Sequence, residues 1–351
     1  MPSRQEPKFS AAMQELTDLS RPYEPTLLHL FSDLTPEELK TFKLAWPEIP
    51  PERRVRFMEL VEELKEVDTR YFFVDVARFA LEDLNPKVRA SGLRLLFEEE
   101  DLKLISLFIR MMNKDPEPEV RATAAGALGF FIYLGMLEEI PEDQAIRVVD
   151  ALVVKMNGDD LPIVRRRALE SMGYATRPDV DALIRNAYLS GDKEWMASAL
   201  FAMARSGLES WEKYVLAELE NEEPDVQVEA IRAAGELGLE SARETLIDLL
   251  ENSELLDDEV RLTALISLAG IGGEGVRELM LQALEESESE EEMAIIEDAL
   301  EELDFNEEIA RPLLFNFDDL DSEEDDEVDP EPPMEDEGPS SDEPKKKRKR
   351  H

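Results

Sequence analysis

The chain has 351 residues and no cysteine, and its 83 acidic residues outnumber 39 basic ones, giving a formal net charge of −44. The absence of cysteine excludes disulfides, a thiolate nucleophile and cysteine-ligated zinc. No apolar run approaches the roughly 18 residues that a membrane-spanning helix needs, and residues 1–8 lack the apolar core of a signal peptide. We therefore expect a soluble, cytoplasmic protein whose negative field repels nucleic acid and anionic membranes.

The N-terminal region carries two kinds of signal. Residues 1–26 contain four prolines and little apolar clustering, which predicts a mobile arm with at most a transient helix over residues 11–19. Thr35, followed by Pro36 and two glutamates, is a helix-start signal, and a second start follows at Pro50. We assign residues 27–69 to two helices without the repeat signature that cap the array, with partner binding as the alternative role.

A unit recurs from residue 70 to residue 315, and its best copy runs from Asp115 to Gly129. An aspartate precedes an arginine by six residues, small and apolar residues follow at helical spacing, and a glycine closes the unit. A period of about 30–35 residues with two apolar helical runs is typical of a helical solenoid, so we predict about seven helix pairs. The copies align on Val88, Val120, Val164, Trp195, Val226, Val260 and Glu291.

The aspartate–arginine pair is the most specific part of this unit. The aspartate falls in the turn between the two helices, and the arginine falls at the start of the second helix. Stacked units then bring each arginine within reach of neighbouring aspartates, which guanidinium groups bind with two hydrogen bonds. In the fifth copy Asn221 and Gln227 replace both charges together, so no charge is left buried alone. We predict a ladder formed by Asp83, Arg89, Asp115, Arg121, Asp159, Arg165 and Arg261.

The Asp-x5-Arg spacing, with valine before the arginine, resembles the HEAT repeat, in the variant also found in bilin-lyase-like repeat proteins. The endings Leu128-Gly129, Met172-Gly173 and Leu237-Gly238 carry the same likeness, whereas Met196 and Glu292 stand where the pattern has arginine. The resemblance covers about residues 70–315 and implies an all-α fold, an α-α superhelix of the HEAT type. Family members range from scaffolds to enzymes, so the resemblance implies a binding surface without naming an activity.

An extra segment, residues 130–141, lengthens the interval between the second and third copies to 44 residues. One interpretation is a second helix about two turns longer that packs beneath its own loop. The other is a protruding apolar hairpin that grips a partner, because exposed apolar patches mark interfaces. On that hypothesis Phe131, Tyr133 and Met136 are candidate partner contacts.

Other side chains in the array favour structural roles. Residues 165–167 form a basic run, and the many surrounding acids favour local charge balance over a phosphate site. Trp195 and Trp211 fall on repeat helices, where burial is favoured over stacking on a ligand. The only histidines are His29 and His351, and neither is followed by glutamate. The di-iron site of deoxyhypusine hydroxylase, a HEAT-type enzyme, is therefore not carried over, and we expect no cofactor, metal site or catalytic triad.

The repeats give way to an acidic tract within residues 316–351, whose composition predicts disorder. These residues include 15 acidic and 6 basic side chains, which leaves about −35 on the rest of the chain. The terminal basic cluster is similar to a nuclear import signal. In a eukaryotic host it would direct the protein to the nucleus, and in any other host it would be a binding tail. The cluster consists of Lys345, Lys346, Lys347, Arg348, Lys349 and Arg350.

Together these features predict a non-enzymatic scaffold or adaptor that binds a protein with a basic segment through an acidic solenoid surface. The alternative is a bilin-lyase-like or other maturation factor that holds a substrate for modification. A coloured or metal-bearing protein would favour the alternative.

Overall fold

The computed structural model describes residues 8–20, 22–23, 25–252, 256–287 and 289–310. Over these residues the chain is all-helical, which confirms the predicted fold class, and none of the described helices is long and apolar enough to cross a membrane. The helices are α1 Phe9–Thr17, α2 Pro36–Ala45, α3 Pro51–Val67, α4 Val74–Ala80, α5 Pro86–Leu95, α6 Lys103–Lys114, α7 Pro118–Met136, α8 Glu142–Met156, α9 Pro162–Ser171, α10 Pro178–Tyr188, α11 Lys193–Ser206, α12 Glu212–Leu216, α13 Pro224–Glu236, α14 Arg243–Asn252, α15 Asp258–Ile271, α16 Val276–Glu286 and α17 Glu290–Ala310.

Helix starts follow the local sequence signals. Proline occupies the first turn of α5, α7, α9 and α13, where its missing N–H has no helical acceptor to lose. Thr35 caps α2 by accepting a hydrogen bond from the backbone N–H of Glu38, and the Glu38 carboxylate accepts the backbone N–H of Thr35 in return.

The repeat helices form two layers. The first layer holds α4, α6, α8, α10, α12, α14 and α16, and the second layer holds α5, α7, α9, α11, α13 and α15. Second-layer helices pack extensively on their successors, whereas first-layer helices pack mainly on second-layer helices and little on one another. The second layer is therefore the continuous element of the array, and surfaces formed by several repeats lie along it.

Glycine permits the close approach of second-layer helices at two crossings. A Cβ at Gly129 of α7 would lie 3.3 Å from Cα of Ser171, and one at Gly235 of α13 would lie 2.7 Å from Cα of Ser267. Gly238 has a different role, because it follows the end of α13 with φ +60° in the left-handed region. The Leu237-Gly238 ending is therefore not the structural equivalent of Leu128-Gly129.

Helix α1 packs on the N-terminal helices that follow it. Within the predicted mobile arm, residues 9–17 form the packed helix α1, whose Ala12, Met13 and Leu16 are buried, and residues 1–7 lie outside the described residues. Arg53 of α3 holds this helix by donating 2.8 Å hydrogen bonds to the backbone oxygens of Leu16 and Glu15. The apolar spacing of these three side chains explains the packing, because residues three and four apart share one helix face.

The extra segment lengthens α7. Helix α7 continues without interruption through residues 130–136, and the chain then turns at Glu138, which has φ 60°. The prediction of a longer second helix is confirmed, and the prediction of a protruding hairpin is wrong. The acidic tract and the basic cluster at 345–350 lie outside the described residues.

Candidate functional site

Arginines at the starts of second-layer helices join successive units. Arg89 donates from Nε and Nη2 to Asp115 at 2.8 and 2.7 Å, and Arg121 makes the same pair of bonds to Asp160 at 3.0 and 2.7 Å. The remaining Nη1 binds the turn of its own unit, through the backbone oxygen of Asp83 or Asp115 at 2.9 Å. Each arginine thus binds its own turn and the aspartate of the next unit.

The ladder also extends into the N-terminal helices. Arg54 of α3 donates to Asp83 at 2.5 Å, and the indole N–H of Trp46 donates to the same carboxylate at 2.6 Å. Arg54 stands three residues after Pro51, as Arg89 stands three after Pro86. The α2–α3 pair therefore carries part of the repeat signature, contrary to the sequence interpretation.

Asp159 is not the ladder residue of its turn, because Asp160 takes that place. The loop between α8 and α9 has five residues, against three between α6 and α7, and its extra length leaves Asp159 exposed. Lys155 adds a 2.9 Å bond to Asp160. Hydrogen bonds from Arg121 and then Lys155 hold the pKa of Asp160 well below its usual range.

Arg165 and Arg261 also differ from the predicted ladder. Arg165 donates from Nε to the backbone oxygen of Met156 at 2.7 Å, and its guanidinium lies 5.4 Å from the ring centroid of Trp195. No aspartate binds it among the described residues. Arg261 pairs with Glu292 on α17. The carboxylate bridges therefore stop at Asp160, and a separate ion pair joins the last units.

The other two members of the basic run have acidic neighbours, as predicted. Arg166 forms a 2.9 Å salt bridge with Glu194, and Arg167 forms a 2.6 Å salt bridge with Glu170. The tryptophans differ, because Trp211 is buried as predicted whereas Trp195 is half-buried beneath Arg165.

A groove of about 840 Å³ crosses the second layer from the end of α5 to α11. Arg205 lies over two of its rings, with its guanidinium carbon 4.1 Å from the Phe201 centroid and 5.2 Å from the Tyr174 centroid. The Tyr133 and Tyr174 centroids are 5.1 Å apart. We call this the aromatic groove, after its lining by Phe97, Phe130, Tyr133, Tyr174 and Phe201.

Charged side chains rim the aromatic groove, and most are already paired. Arg94 binds Glu62 at 2.7 Å, and Arg167 binds Glu170. The middle of the groove passes over Gly126, where an added Cβ would meet only the Phe97 ring, at 3.8 Å. Because glycine has no side chain, Gly126 keeps the groove open.

A smaller depression of about 250 Å³ adjoins the aromatic groove, and Arg167, Glu170 and Phe201 line both. Burial raises the pKa of Glu229, and its buried Oε2 has no hydrogen-bond partner among the described residues, although Oε1 accepts from Arg232 at 2.6 Å. We call this depression the acidic recess, after its lining by Glu194, Asp225, Glu229 and Glu259.

Two segments of the chain match family models of this repeat type. Residues 104–133 match the HEAT repeat, and residues 212–301 match the model of HEAT repeats. The first spans α6 and most of α7, and the second spans the helices from α12 to α16 and part of α17. These two segments of the chain are HEAT repeats. The likeness to the bilin-lyase-like variant stays a prediction.

The solved structures that resemble this chain are distant in sequence. The YibA protein of Escherichia coli is 16% identical, over 81% of this chain and 98% of its own, with a TM-score of 0.42. Human deoxyhypusine hydroxylase is 17% identical, over 75% of this chain and 95% of its own, with a TM-score of 0.33. Importin beta is 13% identical, over 79% of this chain and 43% of its own, with a TM-score of 0.41. These values carry no argument about function, and no curated protein matches the sequence.

The candidate contact residues on α7 lie in different places in the HEAT array. Tyr133 lines the aromatic groove, and Met136 is 47% exposed at the end of the helix. Phe131 is only 1% exposed and packs near Phe108 of α6, so its prediction as an exposed contact is wrong. Successive helical residues point about 100° apart, which turns Phe131 towards the first layer while Phe130 faces the groove.

Most of the groove residues were missed from the sequence, although a signal for two of them exists. Phe130 and Tyr174 each stand ten residues after the aligned valine of their copy, Val120 or Val164. An aromatic residue at the same position in successive repeats indicates a stripe along the second layer. Within the described ranges, no group of three or more histidine, aspartate or glutamate side chains is arranged to hold a metal ion.

Proposed function

We propose that this HEAT repeat protein is a scaffold that holds a protein partner through the second layer, and that the bound part of the partner is basic. The supporting observation is a row of carboxylates at one position in four of the units; Lys87 and Ile163 occupy this position in two others. Each carboxylate stands in the first turn of its helix, one residue before the aligned position. We call these residues, Glu119, Glu194, Asp225 and Glu259, the acidic row.

The acidic row is available to a partner. Among its members only Glu194 forms a salt bridge within the described part of the chain, with Arg166. Neighbouring packed helices lie about 8–10 Å apart, so α11, α13 and α15 present a negative charge at roughly that interval. Glu119 stands one helix further away, because α9 carries Ile163 at this position. Lysine and arginine side chains reach such spaced carboxylates readily, and the surrounding net negative charge steers a basic segment towards them.

The test begins with crosslinking and mass spectrometry in native lysate, which identifies both the partner and the contacted face. We then compare two triple variants with equal loss of charge. Glu119→Gln, Asp225→Asn and Glu259→Gln remove members of the acidic row. The control replaces Glu142, Glu244 and Glu278 by glutamine, which are exposed first-turn residues of the first-layer helices α8, α14 and α16.

We expect the row variant to slow association with the partner by about tenfold at low salt and to flatten its salt dependence. The control should stay within about twofold of wild type, because its carboxylates lie on the other layer and are screened over about 8 Å. Equal effects of the two variants, or binding that is unchanged at about 0.5 M salt, would contradict the proposal.

A maturation factor that holds a small substrate is the second candidate. The aromatic groove supports it, because a volume of about 840 Å³ falls within the roughly 300–1,000 Å³ of small-molecule sites. The absorption spectrum and metal content of the purified protein separate the candidates. A colourless, metal-free protein favours the scaffold, and a bound chromophore or metal favours the maturation factor.

A further inference from the structure

The aromatic groove and the acidic recess adjoin, and their chemistry differs. We propose that they bind one extended segment of the partner, with an aromatic side chain in the groove and a lysine or arginine in the recess. This inference rests on the proposed function for the existence of a protein partner, and it specifies the chemistry of the bound segment.

The groove supplies the apolar half of this recognition. Its five aromatic side chains are only partly buried, and clustered exposed apolar surface in a folded domain marks a binding site. The groove does not present free cations for an anionic ligand, because Arg94 and Arg167 are held in salt bridges and Arg205 lies over two rings. An aromatic side chain suits this lining best, since rings pack edge-to-face or offset on other rings.

The recess supplies the basic half. Glu194 is neutralised by Arg166, whereas Asp225 and Glu259 form no salt bridge among the described residues. The exposed carboxylates of Asp225 and Glu259 are the acceptors that an ammonium or guanidinium group could reach, and Glu229, whose buried Oε2 has no donor there, lies behind them.

Geometry sets the spacing of the two anchors. The groove and the recess share lining residues on α9 and α11, so their centres are separated by about one helix spacing of 8–10 Å. An extended chain advances about 3.3 Å per residue. The basic residue should therefore stand about three residues from the aromatic one.

Three peptides of equal length test the specificity with the full-length protein. The first is lysine-rich with one tryptophan, the second has alanine in place of tryptophan, and the third keeps tryptophan but has glutamate for lysine. Fluorescence anisotropy should show the first binding about tenfold more tightly than the second, which corresponds to about 1.4 kcal/mol. The third should not bind measurably, because its glutamates are negatively charged and the array, which is also negative, repels them.

Gly126 provides the decisive variant. Gly126→Leu extends a side chain into the groove, and Gly126→Ala is the matched control, whose Cβ would meet only the Phe97 ring at 3.8 Å. We expect Gly126→Leu to abolish the preference for tryptophan, and Gly126→Ala to keep most of it. Circular dichroism melting checks that both variants are folded. The double variant Asp225→Asn, Glu229→Gln should weaken both lysine-rich peptides and leave the tryptophan preference intact.

The outcomes separate this inference from the proposed function. Equal binding of the two lysine-rich peptides, or a tryptophan preference that survives Gly126→Leu, overturns the inference while a basic-segment scaffold stands. Failure of both lysine-rich peptides to bind overturns the two proposals together. Displacement of the tryptophan peptide by a chromophore that co-purifies with the protein assigns the groove to a small ligand and also overturns the inference.

Discussion

At the scale of single residues, a ladder arginine divides its donors between two units. Arg121 gives Nη1 to the backbone of its own turn and its other two donors to Asp160 of the next unit. The side chains of this pair are 16% and 12% exposed. If one partner were removed, little water could therefore hydrate the charge that remains. Removal of one member leaves a largely buried charge unpaired, which costs more than the intact pair contributes.

Asp160→Asn and Asp159→Asn form a matched test of this arrangement. We expect Asp160→Asn to lower the free energy of unfolding by about 3 kcal/mol at neutral pH, because Arg121 and Lys155 lose a charged partner. Asp159→Asn, the same change at an exposed neighbour, should stay within about 0.5 kcal/mol. Urea unfolding of both variants measures the difference, and equal effects would contradict the role assigned to Asp160.

The same pair of variants has a defined pH dependence. The pKa of Asp160 is lowered from its ordinary value of 3.8, so folding favours its ionised form. Its contribution to stability is therefore fully present above that value and is lost as the pH falls towards the lower pKa of the folded state. The difference between the two variants should shrink as the pH falls below 3.8.

The sequence predicted which residue types form the ladder better than it predicted which residues pair. The bridges cross between units, and the paired residues are 29, 26 and 39 positions apart for Arg54–Asp83, Arg89–Asp115 and Arg121–Asp160. A search for a fixed spacing within one unit therefore cannot find the partner. The choice between Asp159 and Asp160 depends on the path of the loop, which composition does not determine.

At the scale of helices, the glycines of the second layer divide into two classes. Gly129 and Gly235 lie where one helix crosses the next, tightly at Gly129 and with no room for a side chain at Gly235, whereas Gly126 faces the aromatic groove. The difference matters for stability because alanine is the better helix former wherever its methyl group has space.

Gly235→Ala and Gly126→Ala should therefore change stability in opposite directions. A Cβ at Gly235 would lie 2.7 Å from Cα of Ser267, so α13 and α15 must separate, and we expect a loss of about 1–3 kcal/mol. Gly126→Ala should gain about 0.5–1 kcal/mol from helix propensity. Thermal unfolding followed by circular dichroism measures both, and a stabilised Gly235→Ala would contradict the packing described here.

Helices were easier to predict than the faces they expose. Apolar periodicity and proline starts indicated the repeat helices, but α7 is apolar around most of its circumference, so periodicity does not show which side is buried. This explains why Tyr133 and Met136 lie at least partly open to solvent while Phe131 is buried. The groove itself depends on side chains from four units, and no single unit contains the pattern.

At the scale of the whole molecule, the net charge of −44 opposes compaction. We expect the melting temperature to rise as sodium chloride increases from about 0.1 to 1 M, because the screening length falls from about 10 to 3 Å. Binding of a basic partner should weaken over the same range. Differential scanning fluorimetry measures the first effect, and a falling melting temperature would mean that the ion pairs outweigh the general repulsion.

The end of the ladder at Asp160 has a mechanical consequence. A two-bond carboxylate bridge fixes both the distance and the angle between units, whereas apolar packing lets helices slide at small cost. The two-bond bridges therefore fix the units from α3 to α9, whereas the next joint, between α9 and α11, has Arg165 over an indole ring and an ion pair between Arg166 and Glu194. We expect this joint to hold its angle less firmly than the bridged ones, so a segment bound across it would brace the two stretches against each other.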